Sequence, residues 1–227
     1  MTISSEVAIY NLALNAIGAR SNISSPAENS RDAEVCRLWF TPVRDQILAA
    51  APWPEATEIR YLSQLKEADE DGDGAWAQDD PRPGYQFVYS LPSDCLRPQY
   101  LSDFSPFLVT SYSDNRRALH TNVEQAALVY TKRQESIALW NSELQLAIVY
   151  GLASHICMPL TGKTSRAKLM VNQANDILLS ARESAANTST EMHESIPDWI
   201  AARGYNSNPQ TRFIYPFGSL LSAAGVN

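Results

Sequence analysis

One stretch of this 227-residue chain has the residue types and spacing to hold a metal ion: DEDGDGAWAQDD, residues 69–80. Against the calcium-loop pattern D-x-D-x-D-G-x5-E, Asp69, Asp71 and Asp73 take the first, third and fifth positions, and Gly74 takes the sharp turn. Ala75 suits the seventh position, which ligates through its backbone carbonyl. Asp80 stands where a bidentate glutamate belongs, one methylene short, so its reach is weakened. The surroundings argue against the site. Such a loop needs a helix on both sides, and PRPGYQF cannot start one. The preferred reading is a solvated acidic loop. The alternative is a calcium-binding module built on Asp69, Asp71, Asp73 and Asp80.

Other chemistry is weaker still. LTGKTS (160–165) carries the GKT of a phosphate loop. Cys157 occupies the place of its first glycine, and a helical run precedes it where a strand is required. Gly162 reads instead as a helix cap between two helices. His120, His155 and His193 form no short-range ligand pair, and His155 sits in an apolar run that reads as core. No G-x-S-x-G is present. A tail-associated glycan hydrolase would need carboxylates converging on a groove, and spacing identifies none. No enzyme activity and no cofactor are expected. Tyr85, Phe87 and Tyr89 alternate at period two. With no Lys or Arg between them they read as sheet core rather than a base-stacking platform.

The elements that would position these groups follow from periodicity. Residues 4–17 form an amphipathic helix, capped by Ser4 or Ser5 and ended by Gly18. A polar loop covers 19–30. A second helix spans about 30–50, with apolar residues at spacings of three and four and a kink or break at Pro42. AAPWPE (50–55) turns a rigid corner. EIRYLSQLKEA (58–68) is ambiguous between strand and helix. Strands follow at 85–91, 95–104, 107–112 and 125–133, rich in aromatic and β-branched residues, with a hairpin within 114–122. Helices return at 139–158 and 163–187, joined by a link at MPLTGK.

The fold class is therefore α+β: a bundle of about four helices with an inserted small antiparallel β unit and an extended C-terminal arm. Residues 1–57 and 134–187 make the helical body, 58–133 the insertion with its acidic loop, and 188–227 the arm. The arm is aromatic and weakly periodic, which suits docking on a neighbour. Trp199, Arg203, Tyr205, Phe213, Tyr215 and Phe217 are its candidate partner-binding anchors, since aromatics and Arg dominate interfaces.

Bulk properties narrow the function. A net charge of −7 and a pI near 5.0 argue against gripping nucleic acid through its phosphates. They suit a surface that DNA slides past. Three cysteines with no CxxC pair point to a reduced compartment without disulfides. The N-terminus lacks the basic region of a signal peptide. No apolar run approaches the roughly 20 residues of a membrane span, so no membrane partner is expected.

The order of the pieces resembles the head-to-tail adaptor family of short-tailed bacteriophages, the tail tubular A proteins. The likeness runs from about residue 5 to about 204. It rests on NLALNAIGARSNISSPAENSRDAEVC, RDQILAAAPWPEA, YQFVYSLPSDCLRP, LVYTKR, LASHICMPLTGKTSRAKLM and PDWIAARG. The most specific is the aromatic strand running into Leu-Pro-x-Asp-Cys-Leu-Arg. The resemblance implies a structural protein of the virion tail, assembled in the host cytoplasm. Its copies would form a dodecameric ring at the head–tail junction, between the portal protein and the tail nozzle protein, with surface for tail fibres. The ring would retain packaged DNA and give it an ejection channel without binding it specifically.

Overall fold

The computed structural model describes residues 4–68, 80–112 and 116–188. Its elements run α1 (Glu6–Ile17), α2 (Arg31–Ala50), seven strands, α3 (Ser142–Thr161) and α4 (Thr164–Thr188). The fold is α+β, four helices with small antiparallel sheets between the second and third. The expected arm beyond Thr188 lies outside the described residues.

The helices start where side chains can satisfy their first free N–H groups. Ser5 Oγ accepts from the Ala8 N–H, Ser30 Oγ from the Ala33 N–H, and Asn141 Oδ1 from the Leu144 N–H at 2.7 Å. α1 ends at Gly18, whose φ of 74° is left-handed. In two places the helices outrun the sequence expectation. α2 passes through Pro42 without dividing. The carbonyl that Pro42 leaves without a helical donor is that of Leu38, a residue 68% exposed. Water can bond there, so the break costs little. α3 likewise absorbs Met158–Thr161, expected as a link, and tolerates Pro159 in its last turn before Gly162.

α3 is the central helix and packs against α1, α2 and α4. Gly151 sets its approach to α2: a Cβ there would stand 3.0 Å from Val43 Cγ1 and 3.3 Å from Ile47 Cδ1. By length and composition α3 could cross a membrane. More than half of its apolar window is buried within the protein, as befits a core helix. Around it lie Tyr10, Leu14, Phe40, Leu48, Trp53 and Trp140, all buried in the helical core.

The strands are β1 (Thr57–Tyr61), β2 (Gln64–Glu67), β3 (Phe87–Ser90), β4 (Cys95–Leu101), β5 (Phe107–Ser111), β6 (Arg117–Thr121) and β7 (Ala127–Lys132). The ambiguous segment 58–68 is thus extended, and it serves two sheets. One sheet has the order β1-β7-β4, the other β2-β3-β6-β5, and every pairing is antiparallel. The hairpin expected within 114–122 does not form there: Arg117–Thr121 is itself one strand, β6, and it pairs with β5 before it. Phe87, Tyr89 and Leu119 from the second sheet meet Cys95, Leu101, Leu128 and Tyr130 from the first in a separate core. Both cores belong to one compact unit, Met1–Ser189.

Candidate interaction surfaces

The segment LPSDCLR, prominent in the sequence, carries the chain from β3 in one sheet to β4 in the other. Its turn closes with the Cys95 N–H donating to the Pro92 carbonyl at 3.0 Å. The Asp94 carboxylate accepts from the Tyr130 hydroxyl at 3.3 Å and lies 3.8 Å from Arg60. Burial and the nearby Asp94 and Glu58 carboxylates push the Tyr130 phenol well above its ordinary range, so it stays a donor. Arg97 leaves the sheet and donates to the Ala49 carbonyl at 3.2 Å. Asp94 and Arg97 thus each hold two structural parts together.

Arg97 is one of three donors at the C-terminal end of α2, where the last four carbonyls have no helical partner. The Trp53 indole N–H donates to the Ile47 carbonyl at 3.0 Å. Arg182, from α4, donates Nε and Nη2 to the Ala50 carbonyl at 2.9 and 2.7 Å. Two guanidinium groups thus meet the negative end of the α2 dipole. The same device recurs elsewhere. Arg166 of α4 donates to the Ile17 carbonyl at the end of α1, and Arg31 of α2 to the Pro159 carbonyl near the end of α3. Asp45 joins Arg44 at 2.9 Å to Arg133 at 2.9 Å, tying α2 to the residue after β7.

Of the proposed calcium ligands, Asp69, Asp71 and Asp73 lie outside the described residues. Asp80 forms an ion pair with Lys66 of β2. A cation would have to displace that ammonium from the carboxylate. Among the described residues no cluster of three or more His, Cys, Asp or Glu could hold a metal. The partner-binding candidates Trp199, Arg203, Tyr205, Phe213, Tyr215 and Phe217 also lie outside the described residues.

His120 is buried in β6. Its Nδ1 accepts from the Arg82 backbone N–H at 3.3 Å, so the proton sits on Nε2, which donates to Thr110 Oγ1 at 2.9 Å. Burial, aided by the Arg82 charge, lowers its pKa and keeps it neutral. His155, expected in the core, is half-buried and stacks on Trp39 with ring centroids 4.6 Å apart. Cys36, Cys95 and Cys157 are all free and buried. Burial first, then Asp32, raises the Cys36 thiol to about 12, and burial raises that of Cys95 to about 11. Neither is a nucleophile at neutral pH.

Two recesses flank the LPSDC turn. The first, about 530 Å³, is lined by polar residues including Asp94, Lys132, Arg133 and Glu135. Its charges are mostly neutralised within the fold: Lys132 bonds Glu58 at 2.9 Å, and Arg133 bonds Asp45. The second, about 550 Å³, has an apolar floor that includes Leu65, Leu91, Pro92 and Tyr112 and two arginines, Arg116 and Arg117. Arg117 Nη2 donates to the Cys95 carbonyl at 3.1 Å. Neither guanidinium is ion-paired among the described residues. Sequence reasoning missed this recess. The adjacent arginines of DNRRALHTN were its signal, though the apolar residues beside them come from distant segments.

The outer face of the three-stranded sheet is apolar toward one end, while Thr57, Thr131 and Arg97 stand in register at the other. Register places Ile59 opposite Val129 and Val129 opposite Tyr100, one row across three strands. Tyr61 lies two residues along on the same face, and Phe104 stacks on Tyr100 with centroids 5.2 Å apart. Ile59 is 64% exposed and Tyr61 74%. No protein-family model matches the chain, and no curated protein matches it significantly.

Proposed function

We propose that this chain is a structural head-to-tail adaptor of a short-tailed phage. Its copies form a dodecameric ring between the portal and the tail nozzle, retain packaged DNA and line the ejection channel. The order of segments in the sequence motivates the reading. The observation that carries it furthest is the exposed apolar row Ile59, Tyr61, Tyr100 and Phe104 on the outer face of the β1-β7-β4 sheet. Val129 between them is only 2% exposed, so the open apolar surface lies on β1 and at the end of β4, and apolar surface left exposed in this way marks an interaction site. An acidic chain, net −7, suits a channel wall that must let DNA pass. Purified chain would be mixed with the portal of the same particle and imaged by electron microscopy. A ring seated on the portal is the expected result. A chain that stays monomeric and never joins the portal overturns the proposal.

A further inference from the structure

The recess beside Arg116 and Arg117 differs in chemistry from the rest of this acidic protein. Its floor is apolar, and Leu65 remains 44% exposed there. No carboxylate lines it among the described residues. Its volume, about 550 Å³, falls within the roughly 300–1,000 Å³ usual for sites that seat a ligand group. Arg117 is held by the Cys95 carbonyl, which fixes one cation at the rim before anything binds. Such a site suits an acidic segment with one large apolar side chain. The guanidinium groups take carboxylates in charge-assisted bonds, and the floor takes the side chain.

The chain supplies such a segment itself. In residues 69–80 the carboxylates of Asp69, Glu70, Asp71 and Asp73 precede Trp76 and Asp79 follows it, while Asp80 is held by Lys66 of its own chain. We propose that the recess receives the 69–80 loop of a neighbouring copy, with Trp76 entering the apolar floor and its flanking carboxylates meeting Arg116 and Arg117. A contact between two different patches of identical subunits is head-to-tail, and such contacts close into rings when the rotation permits. The inference therefore rests on the adaptor reading and names one of its subunit contacts. It also gives a role to two arginines that form no ion pair among the described residues.

The test uses a fluorescein-labelled synthetic peptide of residues 69–80, titrated with the full chain at low salt and followed by fluorescence anisotropy. Saturable binding is expected, weakening as salt rises. A full chain carrying R116E and R117E should bind about tenfold or more weakly. So should the wild-type chain toward a peptide with Trp76→Ala. Both arginines are exposed, so the variant should fold, and its thermal unfolding curve is the check. If it does not, R116Q with R117Q serves the same comparison. No binding by the wild type, or equal binding by the arginine variant, overturns the proposal. Binding that occurs only after the chain's own loop is replaced by a Gly-Ser linker overturns it too, since the recess would then be filled within one copy. Peptide binding does not require a ring. A chain that binds the peptide but never assembles on the portal sinks the adaptor reading and leaves the ligand chemistry of the recess intact. A ring unchanged by R116E and R117E sinks this contact alone.

Discussion

Trp53 shows what one side chain can hold. It is 2% exposed, and its indole N–H reaches the Ile47 carbonyl in the last turn of α2. The Thr57 hydroxyl in turn donates to the Trp53 carbonyl at 2.8 Å, at the start of β1. The residue couples the end of α2 to the first strand. Replacing it by Phe keeps most of the packing and removes the donor. Trp53→Phe should cost about 1–3 kcal/mol for the orphaned carbonyl alone, read as a lower midpoint in urea unfolding. A midpoint equal to that of the wild type would mean that solvent reaches the carbonyl. The corner at APWPEA was legible in the sequence from its prolines. The role of its Trp was not, because the acceptor is set by where α2 ends.

Among the elements, α1 was read from its caps and period, and it forms as those dictate. Two features of its surroundings required the fold. Asn11 makes reciprocal bonds with the Ile23 backbone, 2.9 Å to the carbonyl and 2.8 Å from the N–H. They pin the polar loop that follows and bury Ile23. Gly18, expected as a cap, has a second reason to lack a side chain: a Cβ there would come within 2.2 Å of Arg166 Nη1, which is bonding the Ile17 carbonyl. Gly18→Ala therefore strains the left-handed backbone and displaces the clasp from α4. A loss of more than about 1 kcal/mol is expected, or a fall of about 2–4 °C or more in melting temperature. In an Arg166→Ala background the steric part should vanish and the substitution should cost less. An equal cost in both backgrounds would reduce Gly18 to a backbone requirement alone. Pro42 makes the reverse point. A proline inside a helical pattern predicts a kink or a break, and the exposure of Leu38 lets α2 run on undivided.

Over the whole molecule, stability should carry a mark of two histidines that burial keeps neutral, His120 in β6 and the half-buried His155 in α3. Burial lowers the pKa of both His120 and His155 in the folded chain. The unfolded chain, with histidines near about 6.5, then binds more protons as pH falls through that value. Stability is fully retained above about 6.5 and declines below it until the folded-state pKa is passed. The urea midpoint at pH 5.5 should lie below that at pH 7.5, and His120→Gln should shrink the difference. An unchanged pH dependence in that variant would show that His120 is not the source.

The sequence by itself determined what neighbours along the chain decide. The first helix with a serine cap at Ser4 or Ser5, the stop at Gly18 and the strand character of 85–91 all depend on backbone preference and period over a few residues. It also gave the α+β order of helices and strands, because the period changes twice. Tertiary structure alone decided how the strands sort into two sheets, with β1 and β2 parting company two residues apart. It placed arginines from one element on the helix ends of another, and it set Leu65 beside Arg116 and Arg117. The reason is physical. Caps and periods are satisfied within one or two turns of chain, whereas strand pairing, helix-end clasps and recesses are chosen by contacts between segments far apart in sequence.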